Sequence, residues 1–212
     1  MTTDAAGERV ARPRPTLYDL LFRPFGYVAG AQSLALGLAA IVAAGSLGRL
    51  SSMHFDGVLD IHTGRPAPLS VFLYEGIVDW LALSIALFVL GRFVSRAGFR
   101  ALDLFGTQAL ARWPTILASF VALAPPCRRL AASIAAQALQ PGALPADRTD
   151  VILGGLLFFA ALLAIVWMVA LMYHSYSLCC NLRGPRAALS FLVAVVVSEI
   201  AAKLVLIRIL VS

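Results

Sequence analysis

Apolar residues are concentrated in five long stretches separated by short polar segments. A helix that crosses a membrane needs about 20 mainly apolar residues. The stretches are residues 26–46, 71–91, 105–125, 151–177 and 187–210. The pattern predicts an all-α polytopic membrane protein with five transmembrane helices, formed by residues 1–212 as one domain.

The third stretch has the weakest pattern. Gln108, Arg112 and Pro114 interrupt its start, and Pro125 with Pro126 follows its end. Proline lacks the backbone N–H that a helix interior needs, so we expect the span to end at this pair.

Residues 1–25 form an arm before the first span. Within "TLYDLLFRPFGY", Leu17, Leu20 and Leu21 share one helical face while Asp19 lies elsewhere. This pattern is typical of a short helix lying in the plane of the lipid headgroups. A simple N-terminal extension of the first span is the alternative.

The composition indicates which partners to expect. Charged residues make up 13% of the chain and hydrophobic residues 60%, whereas soluble domains carry about 25% charged residues. The net charge of +6 comes from arginines that flank apolar stretches. Such arginines favour anionic lipid surfaces, so we expect membrane lipids and no nucleic acid as partners.

The positive residues also predict an orientation, because cytoplasmic flanks carry an excess of them. One side holds Arg9, Arg12, Arg14, Arg23, Arg92, Arg96, Arg100, Arg112, Arg183 and Arg186. The other side holds Arg49, Arg65, Arg128, Arg129 and Arg148. We therefore expect a cytoplasmic N-terminus and a C-terminus outside.

Four charged residues lie inside apolar stretches. Glu75 and Asp79 on the second span, like Glu199 and Lys203 on the fifth, are four residues apart and share a helical face. A charge at the bilayer centre costs about 2.5–3.5 kcal/mol. We therefore expect the two spans to be neighbours, with Asp79 paired to Lys203 at matched depth. The network either fixes the helix register or lines a polar cavity for an ion, a proton or a lipid headgroup.

A second polar group lies at the inner side, where the third span begins and the fourth ends. Its members are Asp103, Gln108, Arg112, His174 and Asn181. We expect a polar cluster that joins the two span ends. Headgroup contacts at the interface, or a proton relay through His174, are the alternatives.

The first outer loop contains a near-palindrome of candidate metal ligands: His54, Asp56, Asp60 and His62. A hairpin would bring them together, and histidine with aspartate suits zinc or manganese. No second shell is evident for them, so we expect no tight metal and no cofactor. Nucleotide-binding and catalytic motifs are absent, so we expect no enzyme activity.

Two segments resemble a known family. "SLCCNLRGPRAALSFLVAVVVSEIAAK" (177–203) and "FRALDLFGTQALARWPTILA" (99–118) are similar to segments of the bacterial YIP (Ypt/Rab-interacting protein) family of integral membrane proteins. The family has five spans with the N-terminus inside. Its eukaryotic members are implicated in vesicle trafficking through Rab-type GTPases.

The resemblance implies a multi-pass protein of a bacterial inner membrane. It also implies a non-enzymatic membrane organiser or interaction scaffold, partnered by a second copy or by another membrane protein. The alternative is translocation of a lipid, an ion or a small solute along the charged face between spans two and five. A sealed bundle with fully paired charges and an exposed apolar face favours the scaffold, whereas a continuous hydrated groove connecting the charges to either leaflet favours translocation.

Overall fold

The computed structural model describes residues 15–140 and 144–211. Its helices are α1 (Leu17–Phe22), α2 (Gly30–Ser51), α3 (Leu69–Val94), α4 (Ala101–Leu110), α5 (Pro114–Ala122), α6 (Pro125–Leu139), α7 (Arg148–Cys179) and α8 (Gly184–Val211). A 3-10 turn (Pro24–Gly26) precedes α2, and the strands β1 (Met53–His54) and β2 (His62–Thr63) lie between α2 and α3. The predicted all-α class is confirmed, with this small ribbon as an addition.

Four helices of the described chain are long and apolar enough to cross a membrane: α2, α3, α7 and α8. They match the first, second, fourth and fifth predicted spans. On α7, Leu156, Phe159 and Leu162 are exposed while Met168 and Leu171 are buried. An apolar outer surface around a packed interior fits a multi-pass membrane protein.

The predicted third span is not one helix. It is divided between α4 and α5, which have 10 and 9 residues. At the break, the amides of Arg112 and Trp113 donate to carbonyls three residues earlier, those of Ala109 and Leu110. Pro114 is the first residue of α5 and has no amide to donate, which explains why the regular i–4 bonding stops here.

The two short helices together follow α2 in the same direction. Gly106 of α4 contacts the turn around Gly30, and Ser119 of α5 donates a hydrogen bond to the Ala44 carbonyl at 3.2 Å. Between these points the α2 backbone at Gly37 lies so close to Ala109 that a Cβ would overlap it. Such close approach of helices through glycine is typical of membrane bundles.

The predicted N-terminal helix is present as α1, separated from α2 by the 3-10 turn, so the alternative of a continuous first span is wrong. Thr16 and Asp19 form a capping box at its start. Leu17 is 72% exposed, and Phe22 stacks on Trp167 of α7 with ring centroids 5.1 Å apart. Residues 1–14 of the predicted arm lie outside the described residues.

The loop between α2 and α3 enters the bundle. Its apolar residues Met53, Phe55 and Val58 are buried and belong to the same core cluster as Ile165 of α7. The loop therefore acts as a plug between α5, α7 and α8, and we call residues 52–68 the plug loop.

Candidate functional site

The plug loop forms the hairpin that the near-palindrome predicts. β1 and β2 are antiparallel, and His54 is paired with His62 across the ribbon. Their rings stack with centroids 5.7 Å apart. The loop thus brings its polar residues to the outer ends of α3 and α8.

His54 fastens the plug loop to α3. Its Nδ1 lies 2.7 Å from Glu75 Oε1, and its Nε2 lies 2.9 Å from the carbonyl oxygen of Arg65. Both ring nitrogens face acceptors, so both must donate, and only the imidazolium does so. The hydrogen bond to Glu75 raises the pKa of His54, with a smaller contribution from the Arg65 carbonyl, while burial opposes them. The second oxygen of Glu75 accepts from the amide of Phe55 at 3.1 Å.

The same loop is fastened to α8. Lys203 donates to Asp60 at 2.5 Å, and the amide of Leu59 donates to Glu199 at 3.0 Å. Lys203 also lies 3.6 Å from Glu199 on its own helix. The hydrogen bond from Lys203 lowers the pKa of Asp60. A Cβ at Gly57 would overlap the Glu199 carboxylate, so a larger residue there would displace this carboxylate from its present position.

The predicted pairing of Asp79 with Lys203 is wrong, although α3 and α8 are neighbours as expected. Lys203 lies at the level of Glu75, with which it lines one cavity. Asp79 lies one helical turn deeper, where Glu199 acts on it electrostatically. Lys203 instead bonds to Asp60 of the plug loop. The sequence analysis placed Asp79 and Lys203 at the same depth, and this estimate was wrong by one helical turn.

An open cavity of about 640 Å³ lies beside this charged group. Residues from the plug loop, α3 and α8 line it. They include His54, Asp56, His62, Arg65, Glu75 and Lys203. The cavity carries charges of both signs, and we call it the outer cavity after the orientation that the sequence predicts.

Three of the four metal candidates come together. Ligand atoms of Asp56, Asp60 and His62 all lie within 4.8 Å of one another. The fourth candidate, His54, is hydrogen-bonded to Glu75 through its Nδ1. A cation here would have to displace Lys203 from Asp60, which opposes binding. The absence of a tight metal stays a prediction.

The deepest charges are Asp79 and Arg112. Asp79 is fully buried and Arg112 is 5% exposed. Neither oxygen of Asp79, and neither Nε nor Nη2 of Arg112, makes a hydrogen bond with any residue that the structure describes. The two side chains act on each other electrostatically, and Glu199 acts on both. Buried charges without hydrogen-bond partners are rare, since each one costs several kcal/mol.

The break between α4 and α5 positions Arg112. The sequence places this residue in the inner polar group, but α4 begins at Ala101, so Arg112 lies about halfway along the α4–α5 path. On the facing helix Trp80 packs with Ile41 and Ala109 at this level. Arg112 is therefore an interior residue, and its assignment to the inner side is corrected. The signal for this position was the Arg-Trp-Pro sequence at the break.

Gln108 joins α4 to α7, as the predicted inner cluster requires. Its Nε2 donates to the Met172 carbonyl at 2.9 Å and to Ser175 Oγ at 3.1 Å. Ser175 donates in turn to Thr107 at 2.7 Å. Ser175 and Thr107 are members of this cluster that the sequence did not identify.

The other predicted members of the inner group lie apart from Gln108. His174 packs on Phe25 with ring centroids 5.9 Å apart. Asn181 adopts a positive φ of 49° in the turn between α7 and α8. Asp103 lies near Gly30 at the start of α2. The His174 ring makes no hydrogen bond to any described residue, and its ring contact with Phe25 gives no support to a proton relay.

No family model, no curated protein and no solved structure matches this chain. The resemblance to the YIP family therefore stays a prediction, and the functional argument rests on the site itself.

Proposed function

We propose that this protein carries small cations, protons included, across a membrane, with Asp79 and Arg112 as the interior site. The observation that carries the proposal is the pair of buried Asp79 oxygens without a hydrogen-bond partner in the described chain. A buried carboxylate needs a proton, a cation or water as a partner when the protein supplies none.

The surrounding charges favour a positively charged cargo. Glu75, Glu199 and Asp56 all add negative potential at Asp79, against the positive charge of Arg112. Arg112 holds the empty site near neutrality, and the acids supply the attraction for a cation. This arrangement is typical of intramembrane residues that bind and release an ion.

The outer cavity supplies the approach to this site. It is lined by Glu75, one helical turn from Asp79 on the same face of α3. The plug loop closes the way further in, since Met53 and Val58 are each only 2% exposed. Movement of the plug loop would admit a cation from the outer cavity to Asp79.

A flux measurement tests the proposal. The purified protein is reconstituted in vesicles that contain dyes for H⁺, Na⁺ or K⁺, and a membrane potential is imposed. We expect flux of one of these ions above that of empty vesicles, and its loss in Asp79→Asn. Asp103→Asn is the matched control, because its side chain lies near Gly30 at the end of α2 away from Asp79. Wild-type flux equal to that of empty vesicles for all three ions would refute the proposal.

We also propose five membrane crossings, with α4 and α5 together as the third, in a bacterial inner membrane with the N-terminus cytoplasmic. The parallel course of α2 and the α4–α5 pair supports this topology. Reporter fusions at Thr2 and Ser212 test it. Reporters on the same side of the membrane would contradict an odd number of crossings.

The organiser or scaffold function predicted from the YIP resemblance stays a prediction. A sealed bundle with fully paired charges would favour it, whereas the two Asp79 oxygens without a hydrogen-bond partner in the described chain favour translocation.

A further inference from the structure

We propose that the outer face of α3 and α8 binds one phospholipid with a zwitterionic headgroup that ends in a primary ammonium. An acyl chain lies in the groove between the two helices, and the headgroup lies in the outer cavity. This proposal goes beyond the proposed cation path, because the acyl chain lies on the membrane-facing side of the two helices. Only the headgroup shares the outer cavity with that path.

The groove has the length and chemistry of an acyl-chain site. It has a volume of about 570 Å³ and runs from Val78 to Leu90 on α3 and from Val193 to Val205 on α8. Twelve residues of helix correspond to about 18 Å, somewhat more than half of a hydrocarbon core that is about 30 Å thick. Ser198 is the one polar residue among the described residues that line the groove, and its hydroxyl donates a hydrogen bond to the Val195 carbonyl at 2.9 Å.

The groove continues into the charged cavity. Val205 lines the groove, and the next residue, Leu206, lines the cavity together with Lys203. On α3, Val78 lines the groove and Glu75, one turn closer to the outer side, lines the cavity. A lipid of the outer leaflet placed along this face has its headgroup among the cavity charges.

The charges fit a headgroup that carries both signs. Arg65 is exposed and Lys203 is half-exposed, so both can donate to a phosphate. Asp56 offers an acceptor for an ammonium, since its side chain lines the cavity and is 36% exposed, while its buried Oδ1 lies 3.4 Å from His62 Nδ1. A primary ammonium donates hydrogen bonds to a carboxylate, whereas a trimethylated ammonium does not. An anionic headgroup without an ammonium would leave Asp56 unmatched.

Lipid retention measured by native mass spectrometry tests the proposal. The purified full-length protein is exchanged into nanodiscs with equal parts of phosphatidylethanolamine, phosphatidylcholine and phosphatidylglycerol, and is then released into the gas phase. We expect one retained phosphatidylethanolamine, preferred over phosphatidylcholine by about tenfold or more, as a hydrogen bond to a charged group implies.

Two variants separate this site from ordinary boundary lipid. Ala201→Phe fills the groove and should abolish the retained lipid, whereas Ala160→Phe, on the exposed face of α7, should not. Asp56→Asn leaves the groove intact and should remove the preference for phosphatidylethanolamine while a lipid is still retained. Equal retention of the three lipids, preference for phosphatidylglycerol, or no effect of Ala201→Phe would each overturn the proposal. Cation flux is a separate measurement, so either proposal can fail alone.

Discussion

Lys203 and Asp60 are joined by a hydrogen bond of 2.5 Å between residues 143 positions apart in the chain. This contact explains a lysine inside an apolar stretch of α8, because the plug loop brings a carboxylate to the helix. Together with the bond from His54 to Glu75, it fastens the plug loop to both helices.

The first prediction concerns this contact. In a double-mutant cycle of Lys203→Met and Asp60→Asn, we expect a small favourable coupling, because both side chains are partly exposed. The cycle of Lys203→Met with Asp79→Asn should be additive within about 0.5 kcal/mol. Thermal stability in detergent measures both cycles. Strong coupling to Asp79 with none to Asp60 would restore the pairing inferred from helix periodicity alone.

The second prediction is a pH dependence set by His54. Its pKa in the folded protein is raised above the ordinary value of 6.5, chiefly by the hydrogen bond to Glu75. The stabilisation is therefore fully present below about pH 6.5 and is lost as the pH rises through the raised pKa. We therefore expect the plug loop to loosen as the pH rises through the raised pKa of His54.

Hydrogen-exchange protection of residues 52–68 across this pH range, corrected for the intrinsic rise of amide exchange with pH, measures the loosening. His54→Gln should remove the pH dependence of this protection, since it cannot gain a proton. Exchange that is equally pH-dependent in His54→Gln would assign the effect to another group.

The third prediction concerns the close contact of α2 with α4. Gly37→Ala should destabilise the protein by about 1–3 kcal/mol, because the new Cβ overlaps the backbone of Ala109 and Leu110. Gly155→Ala on α7 is the matched control, since a Cβ there meets nothing within 4 Å. Thermal unfolding in detergent compares the two. Equal melting temperatures would show that α2 and α4 are further apart than described.

The fourth prediction is that the plug loop holds no tight metal. Asp60 is already bound to Lys203, and His54 is bound to Glu75, so two of the four candidates are engaged. Elemental analysis of the purified protein should show less than stoichiometric zinc and manganese. A stoichiometric metal that is lost in His62→Ala would contradict this prediction.

Helix periodicity predicted the four long helices and the adjacency of α3 and α8, because apolar length and matched charged faces are local properties of the chain. The near-palindrome indicated that a hairpin could bring His54, Asp56, Asp60 and His62 together, and the structure pairs His54 with His62. The partners of Glu75, Glu199 and Lys203 could not be predicted in this way. They come from the plug loop, whose position depends on the burial of Met53, Phe55 and Val58 between helices distant in sequence.

The interior position of Arg112 is a second feature that could not be predicted from the sequence. Pro114 signals a break in the third apolar stretch, but it does not say at which depth the break lies. The depth follows from the parallel packing of α4 and α5 on α2, through Gly37 and Ser119. Tertiary contacts of this kind bring Arg112 towards Asp79, and they are not visible in a single sequence.

The central claim is that Asp79 is the interior residue that binds the transported cation. The most direct test is the transient current of reconstituted protein on a solid-supported membrane after a jump in the concentration of the transported ion. We predict a current in the wild type, its loss in Asp79→Asn, and its partial return in Asp79→Glu, which keeps the carboxylate. A current in Asp79→Asn equal to that of the wild type would contradict the account.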